Sequence, residues 1–124
     1  MIKSYFPFIL FLAASLLLTA CYYDVEEELY PNDLCELENL SFATDIQPIL
    51  QAQCNGCHFA GSALGAGIVL DNYDGVKFMV DNNRLLGSIR RDAGFSPMPQ
   101  GQPQLGQCSI DKIAAWVEAG APNN

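Results

Sequence analysis

The run Cys54-Asn55-Gly56-Cys57-His58 constrains this chain more than any other feature, because it dictates what a fold must be built around. It has the form C-x-x-C-H, the attachment site of a c-type haem. Two thiols three positions apart can each form a thioether with one vinyl group of the same porphyrin. The imidazole that follows at once can then stand against the iron as proximal ligand. His58 is the only histidine in the sequence, so no other imidazole could take that place. A C-x-x-C pair alone would be ambiguous, since redox and zinc sites share it, but the adjoining histidine makes the signal specific. One covalent haem c is the expected cofactor, held by Cys54, Cys57 and His58.

At 124 residues there is room for one small domain and a targeting segment. Lys3 supplies a short basic region, and Tyr5 to Leu18 is an apolar run without charge. That run is shorter than the ~20 apolar residues a spanning helix needs, which favours a cleaved export signal over residues 1–20. Leu18-Thr19-Ala20-Cys21 closes it and resembles the lipobox of bacterial lipoproteins. The resemblance implies that Cys21 is lipidated and becomes the first residue of the mature chain. Acyl chains anchor at ~0.8 kcal/mol per buried methylene. The mature protein is therefore expected to be exported and lipid-anchored to a bacterial membrane, on a periplasmic or cell-surface face, without spanning it.

Of the five cysteines, Cys35 and Cys108 remain once Cys21 is given to lipid and Cys54 and Cys57 to haem. An even pair in an oxidising compartment predicts a Cys35–Cys108 disulfide, with two separately buried thiols as the alternative. Fourteen acidic residues face six basic ones, for a net charge of −8. Nucleic acid is thereby disfavoured as a partner, since phosphate binding needs a basic face. A basic redox protein would suit the charge, which bears on encounter and not on identity.

Residues 21–40 read as an acidic tether, with the charge run Asp24-Val25-Glu26-Glu27-Glu28 and turn material at Pro31-Asn32-Asp33. From Ser41 the pattern is helical. Thr44 with Gln47 has a capping-box spacing, and Pro48 falls in the first turn. Ile46, Ile49 and Leu50 form a stripe running into Cys54. Ala60 to Gly67 holds three glycines and is a loop. Tyr73, Val76 and Val80 share one helical face, and Leu85, Leu86 and Ile89 another. Asp92 to Gly106 is loop again. Ser109 is the expected cap of a last helix with Asp111 in its first turn, a stripe of Ile113, Trp116 and Val117, and a stop at Gly120 and Pro122. With no period-2 pattern anywhere, the reading is all-α: short helices with long loops, packed around one haem that serves as core as well as cofactor.

Two methionines beyond Met1 could supply a sixth iron ligand. Met98 lies between Pro97 and Pro99, and residues preceding proline are biased toward extended geometry. Such a strap suits presentation of a thioether sulfur. Met79, between Phe78 and Val80 in a helical stretch, is better explained by packing. His58/Met98 ligation would raise the reduction potential and leave no vacant position for substrate, which favours electron transfer over catalysis.

The chain resembles class I-type monohaem cytochrome c domains, in particular the short bacterial lipoprotein cytochromes and the planctomycete-type cytochrome domains. The shared elements are Asp45-Ile46-Gln47-Pro48-Ile49-Leu50, then Cys54, Cys57 and His58, then Met98-Pro99, and finally Ile113, Trp116 and Gly120-Ala121-Pro122. They span residues 41–124, the expected cytochrome domain. The resemblance implies electron transfer without naming a donor or acceptor. It also implies that the first and last helices cross beside the haem, with Trp116 near Ile46 or Leu50. Tyr73, Arg90 and Arg91 are candidates to contact the haem propionates. Phe59, Ile68, Leu70, Leu85, Leu86, Ile89 and Phe95 are candidates to line its pocket.

Three rival readings stand beside this one. A haem enzyme or sensor would need an open sixth position. Cys35, Cys54, Cys57 and Cys108 could instead form a four-thiolate zinc site, which would leave His58 without a role. A thiol–disulfide oxidoreductase using Cys54 and Cys57 would want a βαβ scaffold, which the pattern lacks.

Overall fold

The structure, a computed structural model, describes residues 35–124. The leader 1–20, the lipidation candidate Cys21 and the acidic run after it lie outside the described residues. Among the described residues every regular element is helical and there is no strand. A π-helical turn, Phe42–Ile46, leads directly into α1 (Gln47–Gln53). It is followed by α2 (Tyr73–Asp81), α3 (Arg84–Arg90) and α4 (Gln107–Glu118).

The first helix enters earlier than the Thr44–Gln47 spacing predicts. Ser41 is the cap: its hydroxyl accepts from the Thr44 N–H at 3.4 Å. The Asp45 carboxylate reaches back to the Ser41 N–H at 2.9 Å and accepts the Thr44 hydroxyl, also at 2.9 Å. The wide first turn is the reason. With Ile46 N–H bonded to the Ser41 carbonyl, five residues on, Asp45 comes to lie over the Ser41 amide. The earlier start also brings Phe42 into the core. Pro48 falls in the first turn of α1, where a missing N–H costs least.

The last helix likewise starts ahead of its expected cap. Gly106 precedes it without a side-chain cap, and Ser109 lies inside, its N–H bonded to the Gly106 carbonyl at 3.0 Å. The Gly106 carbonyl accepts the first bonds of the ladder, from Ser109 and Ile110, three residues ahead of the cap that the sequence predicts. The C-terminal end is a Schellman motif: Gly120 N–H bonds Val117 O at 3.0 Å and Ala121 N–H bonds Trp116 O at 2.9 Å. Gly120 has φ +95°, which an L side chain would strain.

Among the described residues the core is entirely apolar. Ile46, Leu50, Val76, Ile113 and Trp116 have no exposed surface, and Met79 is buried beside them. Each such side chain contributes on the order of 1.5–3 kcal/mol by burial. The π-helical turn packs on α4, with the Phe42 and Trp116 rings 5.6 Å apart and Tyr73 edge-on to Phe42 at 5.2 Å. Leu40, the last residue of the expected tether, is also buried in this cluster.

Two long-range ties close the structure. Asn124 clasps the entry of the first helix. Its backbone oxygen accepts from the Ser41 hydroxyl at 2.7 Å and the Ala43 N–H at 3.0 Å, and its side-chain oxygen accepts from the Phe42 N–H at 2.9 Å. A disulfide joins Cys35 to Cys108, 73 positions apart, at the first turn of α4. Among the described residues no helix is long and apolar enough to cross a membrane.

Candidate functional site

Helix α1 delivers the C-x-x-C-H run. Leu50, buried together with Ile46 of the preceding turn, fixes the rotation of the helix, and Cys54 follows as its C-cap with N–H bonded to Leu50 O at 2.8 Å. The chain then folds back over itself. The Cys57 N–H and the His58 N–H both donate to the Cys54 carbonyl, at 3.1 and 3.0 Å. One tight backbone turn therefore carries Cys54, Cys57 and His58.

The two cysteines are free thiols in different surroundings. Cys54 is half-buried and packs against the core, whereas Cys57 is exposed. Burial pushes the Cys54 thiol up to about 11, so it is a protonated thiol at neutral pH. The Asn55 side-chain oxygen between them is buried without a hydrogen-bond partner among the described residues.

His58 is held from behind. Its Nδ1 lies 3.3 Å from the Ile68 carbonyl oxygen. A carbonyl can only accept, so this bond requires the proton on Nδ1 and leaves Nε2 with its lone pair. The loop that brings Ile68 there is pinned by the Leu70 N–H to His58 O bond at 2.8 Å and by the Ala60 N–H to Asp71 carboxylate bond at 2.8 Å. Gly65, in that loop, approaches so closely that a Cβ would stand 2.6 Å from the Cys57 carbonyl oxygen.

These residues fit a covalently attached haem. The donor set is two unbridged thiols and an imidazole whose second nitrogen is already engaged. Large apolar side chains stand exposed in the adjoining loop, Phe59 by 47 % and Leu64 by 79 %.

Met98 is half-buried on a separate element, the loop from Asp92 to Gln104. Its N–H donates to the Ser88 carbonyl at 3.1 Å, which seats the loop on the C-terminal end of α3. Phe95 lies over Gly87, where a Cβ would come within 2.5 Å of the ring. Met79, by contrast, is core.

The remaining candidates divide. Tyr73 donates its hydroxyl to Ala121 O at 2.8 Å, so its proton is committed to the chain's closing turn. Arg91 donates to the Gln102 carbonyl at 2.7 Å, and Arg90 is exposed. Of the expected pocket residues, Leu70, Leu85 and Ile89 are core, Ile68 and Leu86 are half-buried, and Phe59 and Phe95 reach the surface.

The four-thiolate zinc site is corrected by the geometry. Cys35 and Cys108 are bonded to each other, and no three His, Cys, Asp or Glu side chains converge among the described residues. Two contributors were invisible to motif reading. The Ile68 carbonyl is backbone and carries no residue signature. Gly65 is one of three glycines in a loop, with nothing local to single it out. Comparisons with protein-family models, with curated proteins and with solved structures find no match for this chain.

Proposed function

We propose that this chain is a lipid-anchored monohaem c-type cytochrome that carries one electron at a time and is not itself a catalyst. The observation that carries the reading is the C-x-x-C-H turn, in which His58 Nδ1 is engaged by Ile68 O and Nε2 is left to ligate. Bound there, haem c would supply a one-electron iron couple. Cys54 and Cys57 would hold it through thioethers, His58 through Nε2, and Met98 through its sulfur as sixth ligand.

The chain's own residues set the conditions. The Nδ1 hydrogen bond fixes the imidazole tautomer and raises its basicity toward a metal. A filled sixth position leaves no site for substrate, which is why carriage is favoured over catalysis. The all-helical architecture, with the entry of the first helix packed on α4, is compatible with a cytochrome c fold.

Attachment is tested by changing Cys54 and Cys57 to Ser and staining the exported protein for haem on a denaturing gel. Loss of stain is expected, and a persisting stain would refute attachment at these thiols. The anchor at Cys21, after a leader over 1–20, belongs to the same proposal. Cys21→Ser should move the protein from the membrane fraction to the soluble periplasm, and unchanged fractionation would show that lipid is not the tether.

A further inference from the structure

We infer that Arg91 and Gln104 are positioning residues for Met98, together clamping its loop onto the C-terminal end of α3. This rests on the proposal that Met98 is the sixth ligand. It goes beyond it by assigning work to two exposed side chains whose hydrogen bonds go to the Gln102 and Ile89 carbonyls and not to Met98 itself.

A helix leaves its last four carbonyls without intrahelical donors. In α3 these belong to Gly87, Ser88, Ile89 and Arg90, and the following loop supplies donors to three of them. Asp92 N–H bonds Gly87 O at 2.9 Å. Ser88 O accepts from Arg91 N–H at 3.2 Å and from Met98 N–H at 3.1 Å. Ile89 O accepts from the Gln104 side-chain amide, Nε2, at 2.9 Å. Capping of α3 and anchoring of the methionine loop are therefore one set of bonds.

Arg91 adds the complementary tie. Its backbone follows α3 as the C-cap, and its Nη2 crosses to the Gln102 carbonyl at 2.7 Å. Met98 thus lies between Phe95, seated on Gly87, and the Gln102–Gln104 segment, held by two side-chain bonds. Loss of either bond leaves the ligand present but raises the population in which the loop stands away. An external ligand that must displace Met98 binds in proportion to that population.

Both side chains are exposed, so their substitution removes a hydrogen bond without opening a cavity. The test uses the haem-loaded ferric protein, imidazole as the competing ligand, and hydrogen exchange of the Met98 amide. Gln104→Glu keeps the shape and replaces a donor by an acceptor, and Arg91→Ala removes the other tie. Each should raise the apparent imidazole affinity about three- to tenfold, the span expected for one hydrogen bond, and speed Met98 amide exchange by a similar factor. Asn82→Ala is the control: it removes the Asn82 amide bond to Phe78 O at the end of α2, an equivalent cap away from the loop. It should leave both readouts unchanged. Variants indistinguishable from a wild type that shows the methionine–iron charge-transfer band overturn the positioning role alone, as does an equal response to Asn82→Ala. A wild type lacking that band overturns the ligation reading instead.

Discussion

Gly65 packs against the back of the His58 ring: a Cβ built on it would stand 3.1 Å from Nδ1 and 2.6 Å from the carbonyl oxygen of Cys57. The second contact is with backbone, which cannot swing aside as a flexible side-chain tip could. Gly65→Ala should therefore push the 59–70 loop outward and lengthen the His58 Nδ1 to Ile68 O bond. Overpacking of this kind costs about 1–3 kcal/mol. Urea unfolding should report that loss, and the reduction potential of the haem-loaded variant should move as the imidazole loses its orienting bond. An unmoved potential would show that Ile68 O does not tune the ligand.

The Cys35–Cys108 disulfide closes a long loop, since 73 positions separate its ends. By the loop-closure model, replacing both cysteines with Ser should cost at most about 4 kcal/mol. Thermal unfolding with and without reductant should show the same loss in the native chain. Recovery of both cysteines as free thiols in a non-reducing peptide map would dismiss the bridge.

How much of this was legible in the chain depends on the kind of information each residue carries. Of the stripes Ile46/Ile49/Leu50, Tyr73/Val76/Val80, Leu85/Leu86/Ile89 and Ile113/Trp116/Val117, the structure buries Ile46, Leu50, Val76, Leu85, Ile89, Ile113 and Trp116 and packs the others, partly buried, against them. The start of the first helix is a feature that local pattern misplaces. Ser41 and Thr44 both bear hydroxyls able to cap, and the choice is made by a π-helical first turn that no local pattern announces. The Asn124 clasp on Ser41 spans 83 positions, so only the folded chain could reveal it. Arg91 shows the limit most clearly. Its guanidinium was visible, but whether it met a carboxylate or the Gln102 carbonyl depended on where the loop was seated.

Asp45 gives the stability a pH dependence of known sign. Hydrogen bonds from the Ser41 N–H and the Thr44 hydroxyl hold its carboxyl below the ordinary aspartate range, with Lys112 adding a smaller attraction. A carboxyl lowered in the folded state contributes stability above its unfolded value, near ~4, and loses it as pH falls through the lowered folded value. Asp45→Asn should therefore be less stable than wild type at neutral pH, and the gap should narrow progressively below about pH 4. Denaturant midpoints across that range decide the matter. A gap independent of pH would mean that Asp45 acts through shape alone.

The two methionines separate the electron carrier from an open-site haem protein. Met98 is half-buried in a loop whose backbone is bonded to α3, whereas Met79 is buried in the α2 face of the core. Met98→Ala removes little packing, so its expected effect is on the iron. The sulfur-to-iron charge-transfer band of the ferric protein should vanish, the reduction potential should fall, and carbon monoxide or cyanide should gain access. Met79→Ala should do the reverse, lowering stability by about 2–5 kcal/mol through the cavity it leaves while sparing the band. Spectra and unfolding curves of both variants give four readings that must agree. Loss of the band in Met79→Ala with retention in Met98→Ala would exchange the two assignments. If the wild type shows no such band and binds carbon monoxide freely, the sixth position is open and the chain is better understood as a haem sensor or enzyme.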